Sequence, residues 1–145
     1  MLHLTLEDQL FLGQPKQVGT HSTVHDHLAV MFEDDGETGY FYALDMRQNA
    51  QPVVDYLHVY NVDNTRNHHE ARKLEICWDE SGYLALLLIN GYPHAVFDFA
   101  LWRSGAASLS VVVCSTGAVP RFLRRSAPGR GTPSQCDCCG HIVVE

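Results

Sequence analysis

The fold is decided by the stretch RKLEICWDESGYLALLLINGYPHAVFDFALW, residues 72–102. Within it, segment 73–78 has an apolar side chain at every second position, as a strand with one wet face does. Segment 83–89 is apolar on both faces, which is typical of a central strand, and segment 94–99 alternates again. The separating sequences DESG and NGYP are turn formers. The stretch therefore predicts a three-stranded antiparallel meander.

A hairpin is predicted upstream, where segments 28–33 and 39–45 alternate on either side of Asp34-Asp35-Gly36. Asp can bond its own backbone in a turn, and Gly adopts a positive φ at no steric cost. The run from Glu33 to Glu37 contains four acids. Calcium loops spread their ligands over about a dozen residues. This shorter run is therefore interpreted as the solvated tip of a hairpin and not as a metal site.

Three further elements complete the predicted architecture. Leucines at positions 2, 4 and 6 indicate a strand, and segment 109–114 indicates another. Pro52 suits the first turn of a helix, which predicts a short helix over 52–57. We therefore expect a single α+β domain over 1–104, dominated by an antiparallel sheet that curls into a half-barrel or sandwich. Residues 105–145 are expected to form a divergent extension with one strand and a basic, cysteine-containing tail.

The charge and hydropathy of the chain argue against nucleic-acid binding and against a membrane-spanning segment. The 145-residue chain has a formal net charge of −7, which argues against nucleic acid as a partner because phosphates require a basic surface. Residues 1–102 contain five Lys/Arg and fifteen Asp/Glu, a net charge of −10, whereas 103–145 contain five Arg and two acids, a net charge of +3. No apolar run approaches the ~20 residues of a membrane span. The N-terminus also lacks the basic region of a signal peptide, so we expect a cytoplasmic protein with no membrane partner.

Two segments, FEDDGETGYFYALD (32–45) and INGYPHAVFDF (89–99), together with YNV at 60–62, resemble a family of short bacterial proteins carried as a domain of unknown function. The resemblance covers residues 19–99. It implies a compact, β-rich cytoplasmic domain with no assigned activity. The residues that follow differ from the family's expected end, as in the divergent, fused or frame-altered proteins of mobile gene cassettes.

Histidines and cysteines supply two candidate metal sites. His25 and His27 in HSTVHDH would share one face of a strand, with His21 beside them, and an H-x-H pair can present two imidazoles to a transition metal. The alternative is a polar edge strand or loop. Near the end of the chain, Cys136 and Cys139 have the spacing of a zinc knuckle, but the four ligands of a closed site are not present locally. A reactive or incidental thiol cluster is therefore favoured there, and no cofactor is expected.

A third candidate is the polar set on segment 92–99. His94 and Asp98 stand at i and i+4, which puts both on one face of a regular strand, with Tyr92 nearby. If the hairpin paired alongside, Tyr40 or Tyr42 would join them, and such a His/Asp/Tyr set is suited to general acid–base chemistry. The alternative is a polar face satisfied by cross-strand hydrogen bonds.

The leading functional prediction is a non-enzymatic binding or interaction module that forms a homodimer. It would present the acidic hairpin tip and a face rich in tyrosine, a residue that combines an apolar body with a polar tip. The tyrosines concerned are Tyr40, Tyr42, Tyr83 and Tyr92. A protein or a small molecule is the expected partner. The alternative is a small metal-dependent or His/Asp acid–base enzyme.

Overall fold

A computed structural model describes residues 2–103, 110–116 and 119–124 of the chain. These residues form ten strands, a short helix and a 3-10 turn over Val62–Asn64. The strands are β1 (Leu2–Leu10), β2 (Lys16–His21), β3 (Leu28–Asp34), β4 (Thr38–Asp45), β5 (Val53–Asn61), β6 (Arg72–Asp79), β7 (Leu84–Ile89), β8 (Tyr92–Asp98), β9 (Ser110–Thr116) and β10 (Val119–Arg124), and the helix is α1 (Phe99–Arg103).

The strands form two antiparallel sheets. The larger has the order β1-β6-β7-β8-β9-β10, and the smaller has the order β2-β3-β4-β5. The predicted meander is confirmed as β6-β7-β8, and the predicted hairpin as β3-β4, in which Leu28 opposes Asp45 and Asp34 opposes Gly39. The strand expected near 109–114 is β9, which pairs with β8 and so extends the larger sheet.

The core lies between the two sheets, as expected for a sandwich. Phe41 of the smaller sheet stacks on Phe97 of the larger one, with ring centroids 5.1 Å apart. Trp78 stacks on Phe99 at 5.7 Å, and all four rings are fully buried. Burial on this scale is the main favourable term in folding. The predicted β-dominated α+β fold with one short helix is thus confirmed.

The helix predicted over 52–57 is wrong, because that segment begins strand β5. Leu57 packs against the core, while its neighbours Tyr56 and His58 are exposed, which is the alternation of a strand. Pairing with β4 holds the segment extended and overrides the helix-start signal of Pro52. The one helix among the described residues is α1, which follows β8 directly.

The acidic turn is a solvated tip whose carboxylates also form hydrogen bonds that stabilise the fold. Asp35 and Glu37 are exposed, as predicted, and the Asp35 carboxylate accepts hydrogen bonds from the backbone N–H groups of Glu37 and Thr38 at 2.9 and 2.8 Å. These two bonds hold the pKa of Asp35 below its usual value. Asp34 differs from the prediction, because it is only 1% exposed.

The buried Asp34 carboxylate joins three parts of the chain. Its Oδ2 accepts hydrogen bonds from the Tyr60 hydroxyl at 2.6 Å and from the Gly13 N–H at 2.9 Å. Its Oδ1 accepts one from the Gly36 N–H at 2.8 Å. The carboxylate therefore fixes the β1–β2 loop, the hairpin turn and strand β5 to one another.

Candidate functional site

The outer face of the smaller sheet carries a group of aromatic side chains. Phe41 and Ala43 of β4 point into the core, so the alternation of the strand directs Tyr40 and Tyr42 outward. On the neighbouring strand β5, Tyr56 and His58 also lie on this side and are exposed. We call the surface formed by Tyr40, Tyr42, Tyr56 and His58 the aromatic face.

Register places these rings side by side. Tyr40 opposes His58, and Tyr42 opposes Tyr56. The Tyr40 ring meets the His58 ring edge-on and the Tyr42 ring at a tilt, and both centroid distances are 5.9 Å. Tyr56 keeps 62% of its surface exposed. Because all four rings stand on hydrogen-bonded strands, the surface is preformed.

Glu33 of β3 lies beside the aromatic face, opposite Tyr40. Its Oε1 accepts a hydrogen bond from the Tyr42 hydroxyl at 3.1 Å, and its Oε2 accepts one from the Gln17 side-chain amide at 3.0 Å. Burial, together with the adjacent Glu33 carboxylate, raises the pKa of Tyr42 to about 12. The Tyr42 hydroxyl therefore stays protonated and remains a hydrogen-bond donor throughout the physiological range.

The sequence-predicted His/Asp/Tyr set is not brought together. Tyr92, His94 and Asp98 belong to β8 of the larger sheet, whereas Tyr40 and Tyr42 lie on the outer face of the smaller one. Leu87 of β7 pairs with Ala95, but the next residue, Leu88, pairs with Pro93. His94 is therefore left without a partner residue in the ladder and occupies a β-bulge. The bulge interrupts the alternation from which a shared face of His94 and Asp98 was predicted.

Each member of that set has a separate environment. Burial lowers the pKa of His94 to about 4, which a hydrogen bond with the Ile89 backbone offsets only in part. The Asp98 Oδ1 accepts a hydrogen bond from the Ala100 N–H at 3.0 Å, at the start of α1. Tyr92 is 69% exposed.

The half-buried His94 predicts an acid-dependent loss of stability. An unfolded histidine titrates near pH 6.5, whereas His94 in the folded chain titrates near pH 4. Between these values the unfolded state binds the extra proton, so the stabilisation present above pH 6.5 is lost as the pH falls to 4, by up to about 3 kcal/mol. We expect urea unfolding at pH 7, 5.5 and 4 to show the free energy of unfolding decreasing as the pH falls. The decrease should be smaller in His94→Asn and the same as in the wild type in the exposed His69→Asn. An equal decrease in all three proteins would contradict the assignment to His94.

The candidate metal ligands His25 and His27 lie in the loop between β2 and β3 instead of on a strand. Their ring centroids are 6.0 Å apart. The His25 ring stacks on Tyr83 at 4.2 Å, and its Nε2 lies 3.1 Å from the Ser81 carbonyl oxygen. Within the described residues, no group of three or more His, Cys, Asp or Glu side chains is placed to hold a metal ion.

The cysteine cluster at Cys136 and Cys139 lies outside the described residues. Among the described ones, Cys77 is a buried free thiol, and burial raises its pKa. No helix in the described part of the chain is long and apolar enough to cross a membrane.

Sequence reasoning found half of the aromatic face. Tyr40 and Tyr42 were among the predicted binding residues, but Tyr56, His58 and the role of Glu33 were missed. The signal that would have found Tyr56 and His58 is their alternation with Leu57 and Val59, which the prediction of a helix obscured.

Comparison with known proteins agrees with a bacterial origin. Residues 10–110 match the family model described as "Uncharacterized protein conserved in bacteria (DUF2251)". The chain is similar to an "Uncharacterized protein" of Haemophilus influenzae (strain ATCC 51907 / DSM 11121 / KW20 / Rd), with 90% identity over 100 residues. The matched part is 69% of this chain and 62% of that relative, so the chain covers less than two thirds of the relative's length. No solved structure matches the chain.

Proposed function

The chain belongs to the bacterial family DUF2251, and from this premise we propose that it is a non-enzymatic binding module whose recognition surface is the aromatic face. The observation that carries the proposal is the placement of four aromatic rings side by side on two paired strands, next to the Glu33 carboxylate. Tyrosine is enriched at protein interfaces because its ring buries a large apolar area while its hydroxyl still finds a partner.

The rigidity of this surface supports a binding role. Side chains held on strands lose less freedom on binding than side chains on loops, so less of the interaction energy is spent on ordering them. Tyr56, which keeps 62% of its surface exposed, stands on β5, which pairs with β4. The proposal covers either a protein or a small molecule as the partner, as the sequence predicted.

The rival function, a small metal-dependent or His/Asp acid–base enzyme, stays a prediction. His25 and His27 lie in the β2–β3 loop, and His94 lies in a bulge of the other sheet. His94 therefore stands on a different element from His25 and His27, and none of the three belongs to the aromatic face.

The proposal predicts that Tyr56→Ala abolishes partner capture while Tyr92→Ala preserves it. Both tyrosines are exposed, at 62% and 69%, but only Tyr56 lies on the aromatic face. We expect proteins or metabolites retained from a bacterial extract by the immobilised wild-type chain to be retained by Tyr92→Ala and lost, by at least ~10-fold, from Tyr56→Ala. Mass spectrometry of the eluates is the measurement. Equal retention by all three proteins would overturn the proposed surface.

Three finer statements are proposals as well: a cytoplasmic location, a homodimer, and an origin on a mobile gene cassette. For the homodimer, support comes from β1, an edge strand of the larger sheet on which Leu2 and Leu4 are 50% and 51% exposed. Apolar side chains on an exposed strand edge favour pairing with another chain. Sedimentation velocity on the wild type and on Leu4→Lys tests this, since a monomer in both cases would contradict it.

A further inference from the structure

We propose that the aromatic face recognises an arginine side chain of a partner protein, with Glu33 pairing with the guanidinium while Tyr40 and Tyr42 flank it. This inference rests on the proposed binding function and specifies the chemistry of its partner.

The first support is the charge of the smaller sheet. Residues 16–61 contain seven Asp/Glu and two Lys/Arg, a net charge of −5. Both cations are already held by carboxylates, since Lys16 pairs with Asp8 at 2.9 Å and Arg47 pairs with Asp45 at 2.9 Å. The remaining negative charge favours a cationic partner and raises the rate at which one arrives.

The second support is the position of Glu33. Its carboxylate receives hydrogen bonds from two neutral donors, the Tyr42 hydroxyl and the Gln17 amide, and it forms no ion pair with any described residue. A carboxylate has about four lone-pair positions, so one such bond to each oxygen leaves acceptor capacity on both. Two oxygens with free capacity match the two parallel N–H donors of a guanidinium.

The third support is the aromatic surroundings of this carboxylate. Tyr40 lies directly across from Glu33, and the Tyr40 and Tyr42 ring centroids are 5.9 Å apart. A cation over a tyrosine ring is attracted by the ring's negative face. Arginine suits the site better than lysine because its planar, weakly hydrated guanidinium can stack on a ring while forking to a carboxylate.

The test is a titration of the full chain with three capped peptides of equal length: hexa-arginine, hexa-lysine and hexa-glutamate. Isothermal titration calorimetry at low salt is expected to show saturable binding of hexa-arginine, weaker binding of hexa-lysine by at least ~3-fold, and none of hexa-glutamate.

Two matched variants distinguish a site from general attraction. Glu33→Gln and Glu37→Gln remove the same charge, but Glu37 stands on the exposed hairpin tip and is not part of the aromatic face. We expect Glu33→Gln to weaken hexa-arginine binding ~10-fold and Glu37→Gln less than ~2-fold. Tyr40→Leu, which preserves the charge, should also weaken it ~10-fold. Circular dichroism melts confirm that each variant is folded, and the Tyr40 variant decides the question if Glu33→Gln does not fold.

Equal effects of Glu33→Gln and Glu37→Gln would overturn the inference, because binding would then follow net charge alone. Absence of saturable hexa-arginine binding, or equal affinity for lysine and arginine, would also overturn it. These failures are distinct from failure of the proposed function, since a partner lost from Tyr56→Ala and retained by Tyr92→Ala would still identify the aromatic face as the binding surface.

Discussion

Asp34→Ala is expected to lower the free energy of unfolding by about 3–5 kcal/mol, one of the two largest effects of any single substitution proposed for this chain. The substitution removes the acceptor of three hydrogen bonds at once, from the Tyr60 hydroxyl and from the N–H groups of Gly13 and Gly36. Each buried donor left without a partner costs about 1–3 kcal/mol, and the part-buried N–H groups recover some of that loss from water.

Equilibrium urea unfolding measures the effect, with Glu37→Ala as the matched control. Glu37 is an acid of the same turn, but its side chain is exposed, so its loss should cost less than about 0.5 kcal/mol. Tyr60→Phe removes one of the three bonds and should give an intermediate loss. The variant that carries both Asp34→Ala and Tyr60→Phe should lose less stability than the sum of the two single losses, because the two substitutions remove the same Tyr60–Asp34 hydrogen bond. Additive losses, or an Asp34→Ala protein as stable as Glu37→Ala, would contradict the role of the carboxylate.

The position of Asp34 also shows where prediction from sequence ends. The chemistry of the turn was predictable, because Asp and Gly are read from neighbouring residues alone. The burial of Asp34 was not, because it depends on Tyr60, which stands 26 residues further along the chain and in a different strand. A run of four acids therefore contains both a solvated tip and a buried link between strands.

The same distinction explains the strands. The meander and the hairpin were predictable because their partners are adjacent in sequence and joined by recognisable turns. The pairing of β1 with β6, which places Leu2 opposite Asp79, joins parts of the chain with no local signal for each other. The first part of strand β5, residues 53–57, was mistaken for a helix because a proline followed by Val53, Val54 and Leu57 fits either period. Pairing with β4 stabilises the strand conformation of this segment over the helix.

The candidate site follows from the strand assignments. Tyr40 and Tyr42 were predicted because β4 was, and Tyr56 and His58 were not joined to them because the start of β5 was interpreted as a helix. In a sheet, a binding surface is assembled from residues on neighbouring strands. An error in one strand therefore removes half of the surface, even when every residue type has been correctly interpreted.

The second large effect is expected at Gly39, which opposes Tyr60 across β4 and β5. A Cβ at position 39 would lie 2.6 Å from two atoms of the Tyr60 ring and 2.9 Å from a third. The ring cannot move freely away, because its hydroxyl bonds the buried Asp34. Gly39→Ala is therefore expected to destabilise the protein by about 2–4 kcal/mol, from overpacking and from strain on the Tyr60–Asp34 bond.

Whether Gly39→Ala raises or lowers the free energy of unfolding distinguishes a steric clash from the usual effect of this substitution. Gly→Ala at a position with an ordinary backbone conformation usually stabilises a protein by about 0.4–1 kcal/mol, because the unfolded chain loses freedom. A loss measured by urea unfolding thus reports the Tyr60 ring itself. The matched background is Tyr60→Leu, whose shorter side chain vacates the space, so there Gly39→Ala should cost less than about 1 kcal/mol. If the cost were the same in both backgrounds, a cause other than the contact between position 39 and the Tyr60 ring would be required.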